Sequence, residues 1–194
     1  MRVISGSKKG RPLAAVPGKG TRPTVDKVKE SIFSMIGPYY KGGVALDLYA
    51  GTGGLGIEAL SRGMDKAIFV DLDKKAIAVI KENLERTELT EQAEVYKNEA
   101  SRALKALTKR NIKLDLVFLD PPYAYQKINT EIAILHDHGM LNDEAYIVAE
   151  TDAEVQLTDR IGNVHKIKEV EYGNTRITIY QVKEDGGEEG GGII

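Results

Sequence analysis

From residue 44 onward the chain alternates between two hydrophobic patterns. Short runs dominated by apolar and β-prone residues lie at 44–49 (Val-Ala-Leu-Asp-Leu-Tyr), 67–70 (Ala-Ile-Phe-Val), 93–97, 114–119 and 146–149. Between them the apolar residues recur at helical spacing, over about 54–62, 74–86, 100–109 and 126–138. In the second of these, Ile77, Ile80 and Leu84 share one face; Gly139 closes the last. Strands that alternate with helices predict a parallel sheet covered on both faces, and largely apolar strands agree with burial on both sides. The ending differs. Val164–Tyr172 and Thr175–Val182 are β-rich runs joined at Gly173-Asn174, and glycine at the first central position suits a type II′ hairpin turn. The sheet is therefore expected to have seven strands and to close with an antiparallel pair.

Upstream, Thr24 reads as a helix N-cap, with Val25, Val28, Ile32 and Met35 or Ile36 at helical spacing behind it. Gly37-Pro38 ends that helix. The first 20 residues are rich in Gly, Lys and Pro and read as a loose hairpin or extended arm. The expected division is a basic N-terminal arm or hairpin over 1–23, a catalytic domain over 24–183 and a flexible Gly/Glu tail over 184–194.

Composition narrows the class. With 194 residues there is room for one ordinary domain, and 42 % hydrophobic against 29 % charged residues is a globular profile. No apolar run spans a bilayer and no signal-peptide core is visible, so no membrane role is expected. Cysteine is absent, which removes disulfides, thiolate metal sites and cysteine nucleophiles and fits a cytoplasmic protein. The net charge of −2 conceals a split. Residues 1–41 carry nine Lys/Arg and two acids, a charge of +7, and the remainder carries −9. Such a basic arm is either a grip for a polyanion or a solvated terminus. His136-Asp137-His138 is a poor metal site, because its two imidazoles are two residues apart and no third ligand is in view.

Two constellations carry chemistry. The first is Asp47-Leu48-Tyr49-Ala50-Gly51-Thr52-Gly53-Gly54-Leu55-Gly56, where Gly51, Gly53 and Gly56 have G-x-G-x-x-G spacing between a strand and a helix. Asp71 follows the next strand, 20 residues past Gly51, where a carboxylate can accept both ribose hydroxyls. This pattern admits a dinucleotide or S-adenosylmethionine. Asp47 leans toward the latter, because a carboxylate there suits an ammonium and a sulfonium better than a pyrophosphate.

The second constellation is Asp120-Pro121-Pro122-Tyr123, at the carboxyl end of the fourth parallel strand. Pro-Pro cannot continue a strand, so the turn is rigid and its carbonyls lack ladder partners. The Asp120 carboxylate and the Pro121 carbonyl can accept both N–H groups of an exocyclic base amine, and Tyr123 offers a face for stacking the base. Tyr125 could help hold it or be an ordinary exposed tyrosine. A nicotinamide oxidoreductase has no use for this turn.

Asp-Pro-Pro-Tyr together with the Asp-x-x-x-Gly-x-Gly loop resembles the class I, S-adenosylmethionine-dependent amino-methyltransferases. The segments Arg2-Val3-Ile4-Ser5-Gly6, Lys9-Gly10-Arg11, Thr21-Arg22-Pro23-Thr24 and Val28-Lys29-Glu30-Ser31-Ile32-Phe33 resemble the RsmD family more closely. So do Asp47 to Gly53 and Gly56-Ile57-Glu58-Ala59-Leu60-Ser61-Arg62-Gly63, and the likeness covers about residues 1–182. The resemblance implies a Rossmann-like class I methyltransferase fold and transfer of a methyl group to N2 of one guanine in 16S small-subunit ribosomal RNA, at a guanine-966-type position. It implies S-adenosylmethionine as cofactor, S-adenosylhomocysteine as product, and no metal. The RNA partner is expected within an assembling small subunit, and the protein as a monomer. Carried over by motif, Asp47, Tyr49, Gly51, Thr52 and Gly53 line the cofactor's methionine end, Asp71 meets its ribose, and Leu72 packs on its adenine. Glu99 and Ala100 meet the adenine edge, and Thr24 lies beside the cofactor or the RNA backbone. Asp120, Pro121, Pro122 and Tyr123 form the target-base site, while Arg2, Lys8, Lys9, Arg11, Lys19 and Arg22 contact RNA. The same motif pair also serves adenine-N6 methyltransferases, and a non-catalytic assembly factor with this fold stays open.

Overall fold

The computed structural model describes residues 1–18, 25–122 and 125–184. Eight strands form one sheet: β1 (Val44–Asp47), β2 (Lys66–Asp71), β3 (Ala93–Lys97), β4 (Leu114–Leu119), β5 (Leu141–Asp152), β6 (Arg160–Ile161), β7 (Val164–Tyr172) and β8 (Thr175–Val182). Their spatial order is β3-β2-β1-β4-β5-β8-β7-β6. The first five run parallel, and β8, β7 and β6 add antiparallel pairs. The helices are α1 (Val25–Ile36), α2 (Gly54–Ser61), α3 (Lys74–Arg86), α4 (Ala100–Thr108) and α5 (Tyr125–Asp137), with a 3-10 turn at Thr90–Gln92.

Strand side chains alternate between two cores, as the pleat requires. Leu46, Ile68, Val70, Val117 and Leu119 face α4 and α5, where Leu104, Ile128 and Ile132 meet them. Ala45, Phe69, Leu116 and Phe118 face the opposite side, against Phe33 of α1 and Ile57 of α2. Helices of opposite faces therefore diverge between β1 and β4. That is the switch point where open α/β sheets bind ligands, at the carboxyl ends of the strands.

The sheet has one strand more than the seven expected, because the two-residue β6 is too short to leave a periodic signal. β5 is also longer than 146–149. Its polar start, Leu141-Asn142-Asp143-Glu144, pairs with β4 through a register shift between Leu114 and Leu116. The β7–β8 hairpin turns at Gly173 with φ 59°, the left-handed conformation that glycine adopts without strain.

Residues 1–18 are fastened to the body. The backbone pairs across a turn, with Val3 N–H donating to the Arg11 carbonyl at 2.9 Å and Gly10 N–H to the Val3 carbonyl at 2.8 Å. Val3, Leu13 and Val16 are buried. Glu58 of α2, fully buried, accepts Ile4 N–H at 2.8 Å and Ser5 N–H at 3.1 Å. It also pairs with Arg62 at 2.8 Å and Lys29 at 3.5 Å. Lys29 in turn donates to the Arg2 carbonyl at 2.6 Å. No helix among the described residues is long and apolar enough to cross a membrane.

Candidate active site

Strand register sets the site. Asp47 at the end of β1 is level with Phe69 of β2 and Phe118 of β4. Asp71 and Asp120 stand two residues further along their strands, so three carboxylates share one edge of the sheet around the switch point.

Asp47 is buried, and its Oδ2 accepts Gly56 N–H at 3.2 Å. Burial pushes its carboxyl up to about 7; the Gly56 bond opposes the shift and the nearby Asp71 adds to it. The loop between them is built for close approach. Gly53 caps α2 in the left-handed conformation, φ 80°. Gly56 leaves no room for a side chain, since a Cβ would stand 2.4 Å from Phe69 Cε1. Thr52 is gripped from outside: its hydroxyl accepts Gly54 N–H at 3.2 Å, and its carbonyl accepts Asn83 Nδ2–H at 2.9 Å. Asp71 accepts Gly51 N–H and Asp73 N–H, each at 2.8 Å. Beside it Leu72 is 64 % exposed, a large apolar side chain turned to solvent where a planar ring could rest.

On the opposite face, the Tyr49 hydroxyl donates to Glu131 Oε1 of α5 at 2.5 Å. Glu131 is buried, and burial raises its carboxyl to about 7, opposed by Tyr49 and Lys127 and reinforced by Glu99. The same burial and bond push the Tyr49 phenol upward. Glu99 caps α4, accepting Ser101 N–H at 3.0 Å and Arg102 N–H at 3.2 Å, and hydrogen bonds from Ser101 hold its carboxyl low. Ala100 is buried behind it. Asp120 is exposed, Pro121 buried and Pro122 exposed.

The expected cofactor residues Asp47, Tyr49, Gly51, Thr52, Gly53, Asp71, Leu72, Glu99 and Ala100 thus fall along the ends of β1, β2 and β3, and Asp120 to Pro122 adjoin them after β4. Tyr123, Thr24, Lys19 and Arg22 lie outside the described residues, as do the Tyr125 side chain and the N-cap expected at Thr24. Of the basic residues, Arg2 and Lys9 are exposed. Lys8 and Arg11 reach Glu88 at 3.7 and 3.5 Å, and Arg11 also donates to the Arg86 carbonyl at 3.0 Å. Among the described residues no group of three or more His, Asp or Glu is placed to hold a metal ion.

Sequence reading missed Asn83 and Glu131. Asn83 is fully buried on α3, joining the glycine loop to Ala14 of the N-terminal segment in both directions. Both residues had a signal. Glu131 sits with Ile128, Ile132 and Leu135 on the apolar stripe of α5, and Asn83 with Ala76, Val79, Ile80 and Leu84 on that of α3. A polar side chain on a buried stripe needs a partner there.

This sheet order and this edge define a class I methyltransferase fold. The solved structure of yhhF from Escherichia coli superposes with a TM-score of 0.79 at 32 % identity, covering 94 % of this chain and 98 % of that one. An RNA methyltransferase from Salinibacter ruber, solved in complex with S-adenosyl-L-homocysteine, shares the fold at 15 % identity and a TM-score of 0.63, covering 87 % of this chain and 98 % of that one. YlbH of Bacillus subtilis (strain 168) is 55 % identical over 181 residues, 93 % of this chain and 98 % of that protein. Ribosomal RNA small subunit methyltransferase D of Escherichia coli (strain K12) is 31 % identical over 186 residues, 96 % of this chain and 92 % of its own. The family described as Conserved hypothetical protein 95 matches residues 1–181, and the chain belongs to it, the RsmD family.

Proposed function

We propose that this protein transfers a methyl group from S-adenosylmethionine to the exocyclic N2 amine of a guanine in 16S ribosomal RNA, at the guanine-966-type position implied by the family resemblance. The observation that carries the reading is the edge of the sheet itself: Asp47, Asp71 and Asp120 around a glycine loop, with the Pro-Pro turn after β4.

The residues present fit the cofactor. Asp47 is a buried carboxylate poised for a cation. Asp71 has lone pairs left for ribose hydroxyls after accepting two backbone N–H groups, since a carboxylate accepts about four bonds. Leu72 offers the apolar seat for adenine. The cofactor, when bound, supplies an electrophilic methyl on a sulfonium. Glu99 already caps α4, so its share in binding is through the loop it fixes as much as by direct contact.

The protein's part is positioning. The target guanine leaves its stack to reach this edge. Asp120 and the Pro121 carbonyl accept the two amine hydrogens, which turns the nitrogen lone pair toward the methyl. Tyr123 stacks the ring. The amine is weakly basic, so no strong base is needed beforehand, and Asp120 or water takes the proton afterward. Holding both partners in line supplies most of the rate. Residues 1–23 present Arg2, Lys8, Lys9, Arg11, Lys19 and Arg22 to RNA phosphates, residues 24–183 form the catalytic domain, and residues 184–194 take no part. Glu88 is exposed and its pairs with half-buried Lys8 and Arg11 are long, 3.7 and 3.5 Å, so phosphate can displace it at little cost.

The test is incubation with methyl-labelled S-adenosylmethionine and small ribosomal subunits lacking the modification, followed by nucleoside separation. Label in N2-methylguanosine at one position is expected and is lost in Asp120→Ala while cofactor binding remains. Label in N6-methyladenosine overturns the substrate. No label despite cofactor binding favours an assembly factor without turnover.

A further inference from the structure

Resting on that reading, we infer that Glu131 is a positioning residue that clamps the cofactor loop to the helix following the target-base turn, by accepting the Tyr49 hydroxyl. Tyr49 lies two residues past Asp47, at the entrance to the glycine loop. Glu131 lies on α5, whose first turn follows Asp120-Pro121-Pro122 within a few residues. The 2.5 Å bond between them joins the two chemical halves of the site through side chains alone.

Stability does not explain the pair. Glu131 is 5 % exposed, and its second oxygen, Oε2, is buried without a hydrogen-bond partner among the described residues. A half-satisfied buried carboxyl is worse for stability than an apolar residue of the same shape. The flanking positions Ile128 and Ile132 show what this stripe of α5 carries where packing alone decides. The groups facing Glu131 are Tyr49 from the loop after β1, Lys127 from its own helix and Glu99 from the start of α4. Burial opposes the carboxylate form, Tyr49 and Lys127 favour it and Glu99 opposes it, while the hydroxyl–carboxyl contact itself is fixed by the packing of α5 over the loop.

The test uses the full chain, with S-adenosylhomocysteine as probe in calorimetry and with the methyl-transfer assay beside it. Tyr49→Phe and Glu131→Ala are each expected to weaken S-adenosylhomocysteine binding about tenfold, the scale of one lost buried hydrogen bond. The double variant should lose no more than either alone, because both remove one interaction. Glu131→Gln, whose amide oxygen still accepts the hydroxyl, should restore most of the affinity. A packing role would lower the melting temperature without this non-additivity or rescue. Equal affinity in wild type and all variants overturns the inference, as do strictly additive losses. If Glu131→Ala does not fold, Tyr49→Phe with Glu131→Gln decides alone. Wild-type protein that binds the probe but transfers no methyl refutes the proposed function and leaves the clamp standing. Failure of the wild type to bind the probe overturns both.

Discussion

Asp71 Oδ2 accepts the Gly51 N–H at 2.8 Å, while its Oδ1 accepts the Asp73 N–H at the same distance. Asp71, which the proposed function puts at the cofactor's ribose, therefore also shapes the glycine loop. Substitution has two costs at one position. Asp71→Ala should weaken S-adenosylhomocysteine binding about a hundredfold, two bonds' worth. Asp71→Asn, which keeps one acceptor oxygen, should fall between. Calorimetry at fixed pH measures both, and unchanged affinity in Asp71→Ala refutes the assignment.

Asp47 predicts a pH dependence. Burial lifts its carboxyl from 3.8 to about 7. A cationic ligand attracts only the ionised form, so cofactor affinity should rise as pH increases through about 7 and flatten in Asp47→Asn. Glu131 titrates in the same range, so the comparison is made in the Glu131→Gln background as well.

The same shift has a sign for folding. Between 3.8 and about 7 the folded protein holds a proton that the unfolded chain has released, so this group's contribution favours folding at low pH and is lost as pH rises to about 7. Asp47→Asn should thus gain stability relative to wild type above about 7, and the gain should shrink toward pH 4. Urea titrations at three pH values read it directly. A gain that does not vary with pH contradicts the burial of this carboxylate.

Glu58 holds Lys29, Arg62 and two backbone N–H groups from a position with no exposure. Glu58→Ala takes the carboxylate from buried Arg62 and leaves buried Lys29 only Asp26 at 4.0 Å, and should cost about 3–5 kcal/mol. Limited proteolysis should then cut within residues 1–18 before the rest of the chain. Simultaneous cleavage throughout would mean that the segment is not held by this residue.

Gly56→Ala places a Cβ 2.4 Å from the Phe69 ring, inside a packed core. The ring must shift, at about 1–3 kcal/mol. Because Gly56 N–H bonds Asp47, cofactor affinity should fall with it. Thermal unfolding and calorimetry together test this.

Strand ends were the legible part of the site. Asp71 and Asp120 follow apolar runs directly, Asp47 lies within the run 44–49 whose strand ends at it, and parallel pairing brings such ends to one edge without any knowledge of side-chain packing. The four βα crossovers were legible for the same reason, since each carries its own period. What the pattern could not supply was facing. Glu131 meets Tyr49 across 82 residues, and Asn83 meets Thr52 and Ala14 across 31 and 69. Those contacts depend on which stripe of a helix lies over which loop. The two-residue β6 and the polar start of β5 also escaped, because neither alternates.

The N-terminal segment has a kinetic consequence. Ala14 is bound by Asn83 and Ile4 by Glu58, so the first residues of the chain find their partners 54 to 69 positions later. During synthesis these two anchors of residues 4–14 stay unmade until α2 and α3 have been produced. Securing residues 4–14 therefore means closing loops of 54 and 69 residues, contacts whose long sequence separation makes them slow to form.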